Sequence, residues 1–400
     1  MAVKGVFASD QQIVGNRVGD YAGSLLRIWP TGSAPLLALS SGMQTKPAQD
    51  TIVHWFEEVK LTGRKAVTSV NGDGDSTAFT VADASDFVAG TILLVEETSE
   101  YLLVSSVAAN VLTVTRGIGA TTQTTITTSH NLQRVGNAHE EGSSKPTAVT
   151  NLGDVRFNVT QIFRNSWSVT GTAKAIKYHT GSQVGKSVMD CAFIHAEDIE
   201  RSLMWGRKHI GNLNSQPLRL MDGIITQATN HGATVAAQSS ATSYGNLLNH
   251  WRQVFESNIK GKPNERIVFT GNTVVQAINV MARKDGVENM EPGETEFGLA
   301  VTKVYCPWGT IKLMTHPLMN ENPVWTKALY TLHPGALRTR WLRKTQIEGY
   351  DKNGQRISGV DADEGIYTSE LSMELMAAQT AGIYTAISGG VATGSGDGSL

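Results

Sequence analysis

The chain has 400 residues, with 34 Lys and Arg against 36 Asp and Glu, a formal net charge of −2. That balance argues against a dedicated nucleic-acid binder, whose affinity rests on a basic surface. Charged residues make up 18% and apolar residues 40%, with 40 glycines, which argues for a folded, strand- and turn-rich protein and against disorder.

Residues 1–50 are punctuated by Pro30, Pro35 and Pro47 and by Gly23, Gly32 and Gly42, yet they carry Leu25, Leu26, Ile28, Trp29, Leu36, Leu37 and Leu39. A loop this apolar is poorly suited to solvent, so it reads as an extended arm on another surface or as a packed irregular region. Thr51–Lys65 alternates as a strand, with Val53 and Trp55 on one side and Ile52, His54 and Phe56 on the other. After the break at Asn71–Asp75 come short runs rich in Val, Leu, Ile and Thr: Thr77–Ala82, Thr91–Glu96, Glu100–Val107 and Val111–Arg116. Strands at this spacing, separated by polar turns, predict a small all-β module over 67–130.

Arg156–Ile162 and Trp167–Ala173 are predicted strands. Ser182–His209 is predicted as one long helix with Val184, Val188, Cys191, His195, Ile199 and Leu203 on one stripe. Arg207, Lys208 and His209 would suit its C-terminal dipole, and Gly211 would stop it. Ser243 would cap a helix over Tyr244–Lys260. A buried strand at Arg266–Thr270, a helix from Asn272 or Thr273, and a hairpin of Leu299–Tyr305 with Thr310–Met314 follow. Val324–Leu332 and Leu337–Gln346 are predicted strands, and Gly365–Ile387 reads as one long closing strand. The tail 388–400 is glycine-rich and is expected to be flexible.

The chemistry is thin. Gly181-Ser182-Gln183-Val184-Gly185-Lys186-Ser187 evokes a phosphate-binding loop, but the required spacing puts Thr180 where glycine is needed. A turn with Ser182 capping a helix accounts for the same residues. Asp73-Gly74-Asp75 lacks the remaining ligands of a calcium loop, and His139-Glu140-Glu141 and Asp361-Ala362-Asp363-Glu364 read as solvated turns without metal spacing. Cys191 and Cys306, the two cysteines, are expected to be reduced and buried. Asn158-Val159-Thr160 is a glycosylation sequon without meaning in the absence of an export signal. No apolar run has the ~18 residues of a membrane helix, so no membrane partner is expected. No catalytic, cofactor-binding or metal-binding residue is assigned, and the chain is read as no enzyme.

The order of elements is more informative: an arm, a long β excursion, a long helix, an α/β portion and a closing strand. Together with Trp55-Phe56-Glu57-Glu58, the stretch from Gly185-Lys186-Ser187 to Trp205-Gly206-Arg207, and Thr368-Ser369-Glu370-Leu371-Ser372-Met373-Glu374-Leu375, it resembles the major capsid proteins of tailed bacteriophages with the HK97-type fold. It looks closest to the SU10-like podovirus coats. Asp83–Gly90 and Leu112–Thr122 are similar to small β-modules of phage structural proteins.

The resemblance implies an α+β fold. It divides the chain into an N-terminal arm (1–50), extended-loop strands (51–66 and 131–170), an inserted small β-domain (67–130), a peripheral domain with a spine helix (171–225 and 341–387), an axial domain (226–340) and a flexible tail (388–400). It also implies self-assembly into pentamers and hexamers of an icosahedral shell around double-stranded DNA, in a virion assembled in the host cytoplasm. Portal, scaffolding or decoration proteins are the other implied partners, and DNA would be held without sequence specificity. Alternatives are a tail or fibre component, or an encapsulin-like compartment shell. A nucleotide-dependent enzyme would rest on the defective glycine loop alone.

Overall fold

A computed structural model describes residues 45–58, 62–70, 76–178, 181–238, 243–284, 290–296, 299–348 and 361–387. The predicted arm up to residue 44, the Asn71–Asp75 break with its Asp-Gly-Asp, Thr180 and the tail 388–400 lie outside the described residues. Two compact units emerge, Phe56–Val155 and the remainder of the chain.

The chain enters through β1 (Thr45–Pro47) and β2 (Ile52–Glu57). The predicted strand Thr51–Lys65 is therefore not continuous. Glu58 has already left β2, and a separate strand starts at Arg64. The alternation was right, since Val53 and Trp55 are buried and Ile52, His54 and Phe56 are not.

The first unit holds β3 (Arg64–Val70), β4 (Ala78–Val81), β5 (Thr91–Val95), β6 (Tyr101–Ala108), β7 (Val111–Thr115) and β8 (Asn131–Asn137). They close a barrel in the order β3-β4-β7-β6-β5-β8. Closure leaves no sheet edge to protect. Inward positions repeat every second residue, and Val67, Phe79, Leu93, Leu102, Leu112, Val114 and Leu132 fill a single core. The barrel takes in residues on both sides of the expected 67–130 module, because β3 and β8 supply the strands that close it. Between β7 and β8, Arg116 makes a fork-to-fork pair with buried Glu100 at 2.7 and 3.0 Å and also donates to the Thr124 carbonyl. Thr124 N donates to Glu100 at 3.2 Å, so one buried ion pair pins the Thr-rich segment across the barrel end.

In the second unit, β9 (Asp154–Val159), which pairs with β2, leads into β10 (Gln161–Thr170), α1 (Gly171–Ala175) and α2 (Gln183–Trp205). The predicted strand Trp167–Ala173 thus turns helical at Gly171, where the Thr170 side chain caps the new turn. Ser182 caps α2, as expected, but the helix ends at Gly206 and not near Gly211. Gly206 and Gly223 meet backbone to backbone: Gly223 N donates to the Gly206 carbonyl at 2.9 Å, and a Cβ on Gly223 would stand 2.6 Å from Gly206 N. That approach stops the helix, so Arg207–His209 lie outside it and do not serve its dipole.

The hairpin β11 (His209–Leu213) and β12 (Gln216–Leu220) follows, then α3 (Ile224–Asn230), β13 (Thr234–Ala237), α4 (Tyr244–Phe255), β14 (Glu265–Thr270), α5 (Asn272–Lys284), β15 (Met290–Glu296), β16 (Leu299–Cys306) and β17 (Gly309–Thr315). The chain closes with β18 (Leu329–Leu332), β19 (Leu337–Glu348), β20 (Ala362–Leu375) and β21 (Gly382–Thr385). Three expectations are corrected here. The Tyr244–Lys260 helix stops at Phe255. The first part of Val324–Leu332 is a 3-10 turn at Trp325–Lys327. The long closing strand is two strands in different sheets.

One sheet runs β1-β19-β20-β10, and a seven-stranded sheet runs β13-β21-β18-β14-β17-β16-β15. A single core joins α2, both sheets and α3 through Ile199, Leu203, Ile224, Phe269, Met314 and Leu371, while α4 and α5 cover a second core with Leu247, Trp251, Val274 and Ile278. This core takes in residues from both the expected peripheral and the expected axial portions.

Candidate assembly surfaces and their support

The residues suspected of chemistry fall into structural roles. Ser182 Oγ accepts from Gly185 N at 3.4 Å, as a helix cap does. Asp363 is buried on β20 and holds Lys174 at 2.5 Å, so the Asp361–Glu364 cluster is not a solvated turn. His139 to Glu141 are exposed. Cys191 is buried and Cys306 half-buried, both as free thiols, and burial pushes the Cys306 thiol up to about 11. Among the described residues, no group of three His, Cys, Asp or Glu is placed to hold a metal, and no helix is long and apolar enough to cross a membrane.

The sequon has a different use. Asn158 is fully buried, and its amide donates to the Asp222 and Met373 carbonyls at 3.0 and 2.8 Å and accepts from Asp222 N at 2.9 Å. Gln227 donates to Met373 O and accepts from Leu375 N. β10 stops opposite Leu371, so these two amide side chains take over the ladder where the strand ends. Buried main-chain groups demand such partners, and here side chains replace a missing strand.

A second set ties α2 to the four-stranded sheet. Asn165 Nδ2 donates to Asp198 at 2.8 Å, and the Asn165 carbonyl oxygen lies 2.7 Å from His195 Nδ1. His195 Nε2 lies 2.7 Å from Ser369 Oγ, which is 2.8 Å from Thr345 Oγ1. The chain of contacts crosses a helix and three strands. Burial lowers the His195 pKa, opposed by the nearby Asp198. On the other face of β20, buried Glu370 meets Thr160 at 2.9 Å, Arg343 at 2.9 Å and Arg219 at 3.6 Å, and buried Glu374 meets Arg340 at 2.6 Å. Sequence reading missed this network, since its partners stand up to 210 residues apart. The one available signal was the repeated Ser, Glu and Thr within Thr368–Glu374.

The surface is unusual for the apolar side chains it presents. In the barrel-bearing unit, Phe56 is 78% and Leu152 83% exposed. In the other unit Met189 and Ile194 project from α2, Ile210 and Leu213 from the β11–β12 hairpin, and Val324 is 70% exposed. These large apolar side chains are exposed at several separate places on the described surface.

Comparison with known proteins places the chain in a family. A family model described as SU10 major capsid protein matches residues 7–388. The chain belongs to that family. Over 384 residues this coat protein is 27% identical to a major capsid protein of Pseudomonas phage PaMx41, covering 92% of each chain. It also overlays a chain in the solved structure of Mycobacterium phage Bobi, with 8% identity, 92% of this chain and 95% of that chain covered, and a TM-score of 0.47. For the holo-SrpI encapsulin complex of Synechococcus elongatus PCC 7942 the values are 10%, 61%, 79% and 0.42. Both overlays score below 0.5, and the assignment rests on the family match. The chain is a phage major capsid protein, a structural component of the virion, with a mixed α+β fold. The SU10-like resemblance read from the sequence stands, and a tail or fibre role is not favoured.

Proposed function

We propose that copies of this coat protein assemble into the pentamers and hexamers of an icosahedral, HK97-type shell around phage double-stranded DNA. Assembly takes place in the host cytoplasm. A portal and scaffolding or decoration proteins are its further partners, and DNA is held without sequence specificity. The observation that carries this reading is the SU10 major capsid protein match across residues 7–388. The exposed apolar residues give it a physical basis: each contact is weak, and many per subunit add up in a closed shell. In this reading residues 1–50 act as an arm on neighbouring subunits, α2 is the spine of the peripheral portion, and 226–340 form the axial portion at capsomer centres. Negative-stain microscopy of the purified chain is the test. Closed shells or capsomers are expected, and elongated fibres or monodisperse small particles would overturn it. A chain lacking residues 1–45 is expected to stay soluble and to give few complete shells.

A further inference from the structure

The four-stranded sheet treats its two edges differently. On one side, β1 pairs with Thr339–Trp341 of β19, and two register shifts interrupt the rest of that strand. The seven-stranded sheet is equally guarded. Its edge β13 has four residues, and its edge β15 carries Pro292 beside a register shift. Short strands, prolines and bulges are the usual ways of blunting a sheet edge. β10 has none of these. It runs ten residues without Pro or Gly, pairs in unbroken register with β20, and carries one charge, Arg164.

The direction of its main-chain groups can be read from both ends. Beyond the last pair, Gly171 N donates to Asp361 O, so odd-numbered residues face β20. Before the first pair, Thr160 N donates outward to Thr51 O, which fits the same phase. Ile162, Arg164, Ser166 and Ser168 therefore aim N–H and C=O away from β20. These groups have no hydrogen-bond partner among the described residues, and their side chains are exposed. Asn158 and Gln227 satisfy the neighbouring orphan groups on β20, so the bare row on β10 stands out within its own sheet.

We propose that the outer edge of β10 is a strand-addition site that takes an extended segment of a second copy of this chain. A row of alternating N–H and C=O groups, about 3.4 Å apart per residue, is matched by another extended main chain. The inference rests on the reading of the chain as a self-assembling shell subunit, which makes a second copy the polypeptide at hand. The chain also carries a segment suited to the task. Thr147–Leu152 lies outside any helix or sheet, with Val149 40% and Leu152 83% exposed.

Hydrogen exchange resolved to single amides, on dissociated subunits and on particles formed by the purified chain alone, tests the proposal. The amides of Arg164, Ser166 and Ser168 should exchange freely in the subunit and slow by at least about 100-fold in particles. The inward amides of Phe163, Asn165 and Trp167 should be slow in both. Ser166→Pro removes one outward N–H at an edge position where proline is tolerated. It should keep the subunit's helix content and reduce particle yield at least about tenfold. Should that variant fail to fold, the exchange measurement on the unaltered chain still decides. Outward amides that stay fast in particles, or that are already slow in the subunit, overturn the proposal, as does normal assembly of a folded Ser166→Pro chain. Particles with fast outward amides leave the shell reading standing. A chain that remains monomeric at every concentration overturns both.

Discussion

The barrel and the remainder of the chain are held together by different means. In the barrel, most strands pair with close neighbours in sequence, the core is entirely aliphatic and aromatic, and one buried ion pair, Arg116 with Glu100, locks one end. The larger unit is built from distant segments. β10 meets β20 and β1 meets β19 only after some 200 to 300 residues of chain, and buried Asn158, His195, Gln227, Glu370 and Glu374 tie them. Local pairing incurs little loop-closure entropy, so a barrel of this kind can form as a self-contained insert, whereas the larger unit must close long loops before its contacts form.

Removing the barrel is the strongest way to break this comparison. Replacing residues 63–138 with a Gly/Ser linker should leave a soluble chain with the far-UV helix signal of α2, α4 and α5 intact. The shorter replacement of Val70–Ser129 leaves β3 and β8 behind with Val67 and Leu132 stripped of their core, and it should aggregate. Loss of helix signal in the longer deletion would mean that the barrel is not independent.

Point changes sharpen the contrast. Ile199→Asp puts a carboxylate into the core shared by both sheets and should cost more than about 4 kcal/mol. Limited proteolysis should then digest the larger unit and spare a fragment near 62–138. Arg116→Met leaves Glu100 buried without its partner and should cost about 3–5 kcal/mol in the barrel alone. Calorimetry should show one transition lowered and the other unmoved.

Between pH 6.5 and 4, acid should weaken the larger unit through His250. His250 is buried against Tyr384, with ring centroids 5.0 Å apart, both ring nitrogens lack a hydrogen-bond partner, and burial lowers its pKa to about 4. In the unfolded chain it titrates near 6.5, so between pH 6.5 and 4 the unfolded state binds the extra proton. Stability is full above pH 6.5 and falls by up to about 3 kcal/mol as pH drops to 4. His250→Phe should make that part of the pH–stability curve shallower in urea titrations, with buried His333 still contributing to the slope. Arg201→Ala, at an exposed site near Glu197 and Glu321, should change stability by less than about 1 kcal/mol.

The sequence by itself determined much of the locally patterned structure, although the β11–β12 hairpin and α3 went unread. The barrel strands followed from alternation, since β4 to β7 each fall within a residue or so of the expected runs. The buried face of α2 followed from helical spacing, its start from Ser182, and the start of α4 from Ser243. The long-range order of elements was enough to suggest a tailed-phage coat. Boundaries set by contact were not legible. α2 stops where Gly206 meets Gly223, β10 hands its ladder to Asn158 and Gln227, and the closing segment breaks between Leu375 and Gly382 to serve two sheets. Each depends on residues brought together from far along the chain, and period and propensity report only on neighbours within a turn or a pleat. The same reason hid the buried carboxylates of β20. Nothing local marks Glu370 and Glu374 as buried, and Arg219, Arg340 and Arg343 arrive from other strands to neutralise them. Tertiary structure alone decides which charges are buried, because only a partner held in place makes burial of a charge tolerable.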